Sequence, residues 1–120
     1  MTPHKLIHDG EPLDGDLYGP LRRVLGSAFS QSASGKGRER HANNKPFLEQ
    51  PIMEIARMVG FGGHTYQVCK KAQEATTMVS RNQFEAAKAE MLGIIVYASA
   101  GFLLIEELQA KENINGRGKR

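Results

Sequence analysis

The side chains best suited to covalent or acid–base chemistry are few and scattered. There is one cysteine, Cys69, and four histidines, His4, His8, His41 and His64. Apart from His4 and His8, which stand four apart, no histidine is near another in the sequence, and a zinc site needs more such ligands brought together. Cys69 needs a lowered pKa and a base to act as a nucleophile. His64, five residues away, does not share its helix face, so Cys69 reads as a core residue. His41, inside RERH, is the best lone acid–base group, and no partner for it is evident.

The carboxylates point the same way. Glu54, Glu74, Glu85 and Glu90 lack the ExxE and ExxD spacings with which pyrophosphohydrolases of the MazG-like kind hold magnesium. Glu85, Glu90, Lys88, Glu106 and Glu107 read as solvated helix faces. SASGKG does not meet the phosphate-loop pattern G-x-x-x-x-G-K-[ST]. The expectation is a protein that is not an enzyme and needs neither metal nor cofactor.

What the chain does carry is unevenly placed positive charge. The overall formal charge is +3 over 120 residues, but residues 1–16 are net −3, 17–47 net +5, 48–110 net −2 and 111–120 net +3. Basic segments of this kind meet phosphate or an acidic surface, or simply aid solubility. Lys36, Arg38, Arg40, His41 and Lys45 fall in a Ser/Gly/Asn-rich stretch that reads as a loop.

The most specific stretch is 52–71, IMEIARMVGFGGHTYQVCKK. It reads as two helices joined by a Gly-bearing turn. Ala56 is small where the helices cross, Gly60 can end the first with a positive φ, and Thr65 comes early in the second. The pattern Ile55-Ala56, Gly60, Gly62, Thr65-Tyr66, then Lys70-Lys71, resembles the helix-turn-helix of ParB/KorB-like proteins and phage repressors. That resemblance covers about twenty residues. It implies a DNA-binding regulatory or phage accessory protein, with 64–71 as a recognition helix in the major groove. His64, Thr65, Gln67 and Lys71 would face base edges. Arg57, Lys70 and the basic loop would meet phosphates.

A second reading uses the same residues for a small anion. The 62–71 helix start offers free N–H groups to phosphate. The basic loop would fold over it, Tyr66 or Phe47 would stack on a base, and Lys70 and Lys71 would add charge. The ligand would be a nucleotide or cyclic oligonucleotide held by an oligomer. In architecture alone, short, helical and oligomeric, this is similar to phage proteins that sequester immune signalling nucleotides. A third option is an inhibitor of another protein that acts through surface charge.

The elements that must position these residues are all helical, since no stretch alternates with period two. Residues 1–16 form an acidic arm. A short helix over 17–29 has Pro20 at its start and Leu17, Leu21, Val24, Leu25 and Phe29 on one face. The loop covers 30–46, and a helical core covers 47–110. Its first helix starts at Pro51 and buries Ile52, Ile55, Ala56 and Val59. The next starts near His64 or Thr65 and buries Val68, Cys69, Ala72, Ala75 or Thr76, and Val79. Ser80 and Gln83 read as a capping box for the last helix, which runs to about 108–111. Residues 111–120 form a basic tail.

Residues 91–105 are apolar almost all round, and fifteen residues fall short of a bilayer span. A helix apolar on every side must be covered on every side. The expectation is therefore a homo-oligomer through residues 84–108, with Ala86, Ala89, Gly93 and Ala100 letting a partner backbone approach. One cysteine and no apolar leader predict a cytoplasmic protein outside membranes.

Overall fold

In the computed structural model the described residues are 17–34 and 44–118, with no side chains described beyond 116. The chain is all-α. Helices α1 (Gly19–Ala33), α2 (Pro51–Val59), α3 (Gly62–Ser80) and α4 (Phe84–Gly118) carry nearly all of these residues, with one 3-10 turn at Phe47–Glu49.

Helix α4 is the spine. Its 35 residues span about 52 Å at 1.5 Å each. Helix α3 returns antiparallel along it, and α2 crosses near its middle. There Met53 and Ala56 bury themselves against Ala100 and Leu104, with Phe47, Ile52 and Leu103 around the edge. Helix α1 lies on another side of α4, holds only Ala28 buried, and donates from Gln31 Nε2 to the Ala89 carbonyl at 3.4 Å.

Local chemistry explains the boundaries. Helix α1 has Pro20 in its first turn, where a missing N–H costs nothing. It runs four residues past the expected end at 29. Its serines do not break it, because Ser27 and Ser34 hydroxyls donate to the carbonyls of Arg23 and Ser30, one turn back. Helix α2 begins at Pro51 and stops at Gly60, whose φ of +100° suits only glycine. Helix α3 starts at Gly62, two residues earlier than expected. It packs so close that a Cβ on Gly63 would lie 3.0 Å from Val59 Cγ2.

The capping box is not formed. Ser80 ends α3 and donates back to the Thr77 carbonyl at 2.6 Å. The turn is made instead by Asn82 at φ 58°, with the Gln83 N–H donating to the Met78 carbonyl. Asparagine tolerates this left-handed conformation better than most residues.

Four burial expectations are corrected. Helix α2 is rotated, so Met53 and Ala56 are buried while Ile55 and Val59 are exposed. Leu17, just before α1, and Leu21, Leu25 and Phe29 on it are exposed too, since α1 meets α4 through the smaller Ala28. On α3 the expected Ala75 is buried, together with His64, while Cys69 and Val79 lie exposed. The small residues of α4 also serve the chain itself. Gly93 receives the Lys71 stem, Gly101 receives Phe61 and His64, and Ala100 receives α2, while Ala86 and Ala89 stay exposed. Gly93, Ala100 and Gly101 let α2 and α3 dock, so these three are spent before a partner could use them.

The stretch Phe84–Gly116 of α4 is long and apolar enough to cross a membrane by length and composition, and 22% of its most apolar part is buried.

Candidate functional site

Two regions bring the sequence-predicted residues together. The first is the α2–α3 corner. Its turn has only Gly60 and Phe61 between the helices. Thr65 and Tyr66 are exposed on the first turn of α3 and Gln67 is half-buried. The Thr65 hydroxyl donates to the Gly62 carbonyl at 3.1 Å, within its own helix.

His64 corrects its expected role. It is 2% exposed and cannot reach a base edge. Its Nε2 lies 2.8 Å from the Ile52 carbonyl. A carbonyl only accepts, so Nε2 carries the proton and donates, tying the start of α3 to the start of α2. Phe61 and Tyr97 meet the ring edge-on, each with centroids 6.3 Å away. Nδ1 is buried without a hydrogen-bond partner. His64 is a packing residue of the corner.

The corner's cations are already engaged. Arg57 grips Glu107 through two bonds, Nε–Oε1 at 2.9 Å and Nη2–Oε2 at 2.8 Å. That hydrogen-bonded pairing raises the Arg57 pKa and holds the Glu107 carboxyl below its usual range. Lys71 Nζ is 3.4 Å from Glu90 Oε1, and its stem lies across Gly93 with the ammonium 5.7 Å from the Tyr97 ring centre. Lys70 faces Glu74 at 3.9 Å, one turn along. Each base that the helix-turn-helix would turn toward DNA from α2 or α3 thus has a carboxylate beside it.

The second region is a cavity of about 760 Å³ between α1, residues 44–50 and α4. Leu25, Phe29 and Ser32 form one wall. Asn44, Lys45, Phe47 and Gln50 form the second, and Ile95, Val96 and Ser99 the floor. The lining is mostly apolar with a few polar groups, the usual make-up of a small-molecule site, and its volume lies in the range of ~300–1,000 Å³ for such sites. Gln50 Nε2 donates to the Lys45 carbonyl at 2.8 Å and holds the second wall in shape.

The basic loop is joined to this cavity at both ends. Ala33 and Asn44 both line it, and the chain between them contains Lys36, Arg38, Arg40 and His41. Those four residues lie outside the described residues. Lys45 is exposed at the rim.

The sequence reading offered Phe47 as a residue that stacks on a base, and Phe47 lines the cavity. It missed Phe29, Ser32, Asn44, Gln50 and Ser99, which converge only through the packing of α1 on α4. It also set the loop against the 62–71 helix start, none of which lines the cavity. Among the described residues no three His, Cys, Asp or Glu side chains are placed to share a metal ion. No family model, curated protein or solved structure matches the chain.

Proposed function

We propose that this protein binds a phosphate-bearing nucleotide, linear or cyclic, in the cavity between α1, residues 44–50 and α4. The observation that carries this reading is the attachment of the basic segment to the rim at both ends. A roomy, largely apolar hollow suits a planar base. Phe29 and Phe47 on opposing walls offer aromatic faces, and stacking on such faces is worth about 1–3 kcal/mol per base. Lys45 at the rim supplies positive charge for a phosphate, and the sequence between the lining residues Ala33 and Asn44 adds Lys36, Arg38, Arg40 and His41. Asn44, Gln50, Ser32 and Ser99 supply hydrogen bonds that orient the base.

The test is thermal melting with a panel of mono-, di- and cyclic nucleotides. A ligand at a hundred times its Kd adds about 2.7 kcal/mol, which raises the Tm of a domain this size by about 10 °C. The shift is expected to shrink in Phe29→Ala and Lys45→Ala, and in an Arg38→Ala, Arg40→Ala double variant. No shift with any nucleotide on the panel would defeat the reading.

DNA binding through α2 and α3 is the second reading. What favours it is the two-residue turn and the exposure of Thr65 and Tyr66 on the first turn of α3. The pairing of Arg57, Lys70 and Lys71 with carboxylates weighs against it, because phosphate contacts supply most non-specific affinity. Anisotropy of a labelled duplex across a salt series separates the two. Steeply salt-dependent binding that falls in Lys70→Ala would favour DNA.

A further inference from the structure

The face of α4 turned away from α2 and α3 is largely open among the described residues, with α1 approaching only its edge near Ile95, across the cavity. Phe84, Met91, Ala98 and Ile105 follow one another at intervals of seven, and Ile95 and Phe102 come four residues after Met91 and Ala98. Seven residues nearly complete two helical turns, so these six side chains form one straight apolar seam, about 32 Å long from Phe84 to Ile105. Phe84, Met91, Phe102 and Ile105 are each half or more exposed, Phe102 to 65%. Ala98 is exposed too. The alternation of fours and threes is the spacing by which one helix packs along another.

We infer that a second copy of this chain covers the seam, its α4 running antiparallel about a two-fold axis near residues 95–98. Length suits a helix as the occupant: the seam runs about 32 Å, close to six helical turns, and Lys88 and Glu106 carry opposite charge near its two ends.

Charge selects the direction. In a parallel pair Lys88 would face Lys88 and Glu106 would face Glu106. In the antiparallel pair Ile95 packs on Ala98 of the partner subunit and Phe102 on Met91 of the partner subunit. Lys88 then falls beside Ile105 and Glu106 of the partner subunit. A two-fold interface of this kind closes on itself, as most homodimers do.

Lipid is the other apolar phase such a face could meet. By length and composition Phe84–Gly116 could cross a membrane. Immersion of α4 would strip Met53 and Ala56 from Ala100 and Leu104, the only sizeable core cluster among the described residues.

The pairing bears on the cavity as well. Ile95 belongs to both the seam and the cavity floor, and Ser99 lies beside it. The partner helix therefore runs along one open side of the cavity. The dimer stands whether or not a nucleotide binds there.

Sedimentation equilibrium of the full chain tests the proposal. The wild type is expected to be a dimer at micromolar concentration. Phe102→Glu with Ile105→Glu is expected to weaken association by about 100-fold or more, since two buried anchors are lost from each side. Both positions are exposed in the monomer, so circular dichroism should be unchanged. Cross-linking reads the direction. In a Cys69→Ser background, Ala98→Cys should form a disulfide or short-linker dimer on its own, and Phe84→Cys should not, because an antiparallel pair sets the two copies of residue 84 at opposite ends. A monomeric wild type, an oligomer that survives the double glutamate variant, or efficient cross-linking through Phe84→Cys would each overturn it. So would a monomer that floats with phosphatidylcholine vesicles.

Discussion

At the scale of the residue, His64 carries more of the structure than any other polar side chain described. It fills the angle between α2 and α3, and its ring donates to a backbone carbonyl at the start of α2. Truncating it leaves a hole and removes that bond to the Ile52 carbonyl. His64→Ala is expected to lower stability by about 2–4 kcal/mol, measured by urea unfolding, whereas Thr65→Ala next to it should change little. Equal losses at the two positions would mean the corner is looser than its distances indicate.

Arg57 and Glu107 make a second prediction. Hydrogen bonding to Arg57 lowers the Glu107 pKa from 4.5. A carboxyl with a lowered folded value stabilises the fold above its unfolded pKa, and that contribution is lost as pH falls through the folded value. Arg57 stays charged throughout. Both side chains are more than a third exposed, so solvent screens the pair and its coupling is expected to be about 0.2–1 kcal/mol. A double-mutant cycle of Arg57→Ala and Glu107→Ala should find that coupling near neutral pH and none once acid has protonated Glu107. A coupling that persists in acid would mean the pair acts through packing of the arginine stem.

At the scale of the element, α1 is the least secured helix. It buries one alanine, and Gly26 interrupts its middle, with no atom within 4 Å of where an added methyl would stand. Gly26→Ala should therefore gain helix propensity with no steric cost, about 0.5–1 kcal/mol. A rise in Tm would show that α1 folds with the rest, and an unchanged Tm would show that it frays independently. The glycines at 60 and 63 behave differently. Gly60 holds a φ of +100° and Gly63 leaves only 3.0 Å between an added Cβ and a valine methyl, so neither has room or conformation to spare.

At the scale of the whole molecule, the protein is a spine with helices laid on two sides and a hollow between them. Few groups hold α1 down, so amide exchange should be fast in α1 and slow in the middle of α4, where Gly93, Ala100, Gly101 and Leu104 are buried. A nucleotide in the cavity would touch Leu25, Phe29 and Ser32 from one side and α4 from the other. Saturating ligand is then expected to slow exchange in α1 selectively. Uniform protection of every helix, or none, would place binding elsewhere.

The helical class, the order of the core helices and their punctuation were legible in the sequence, because they follow from short-range physics. Pro20 and Pro51 start helices, Gly60 ends one, and the apolar run of residues 91–105 lies within a single long helix. These features depend on backbone angles and local periodicity, which the chain carries wherever it goes. Which face of each helix is covered was decided only by tertiary packing. Ile55 and Val59 share the periodicity of a core stripe with Ala56, yet of these three only Ala56 is buried, where a small residue lets α2 approach Ala100, and Met53 joins it. Gly93 and Ala100 have the spacing of a partner groove, yet α2 and α3 occupy it. Lys71 has the position of a phosphate ligand, yet Glu90 from another helix reaches it first. Spacing along a helix fixes which side chains share a face, and only the arrangement of the other helices determines what that face meets.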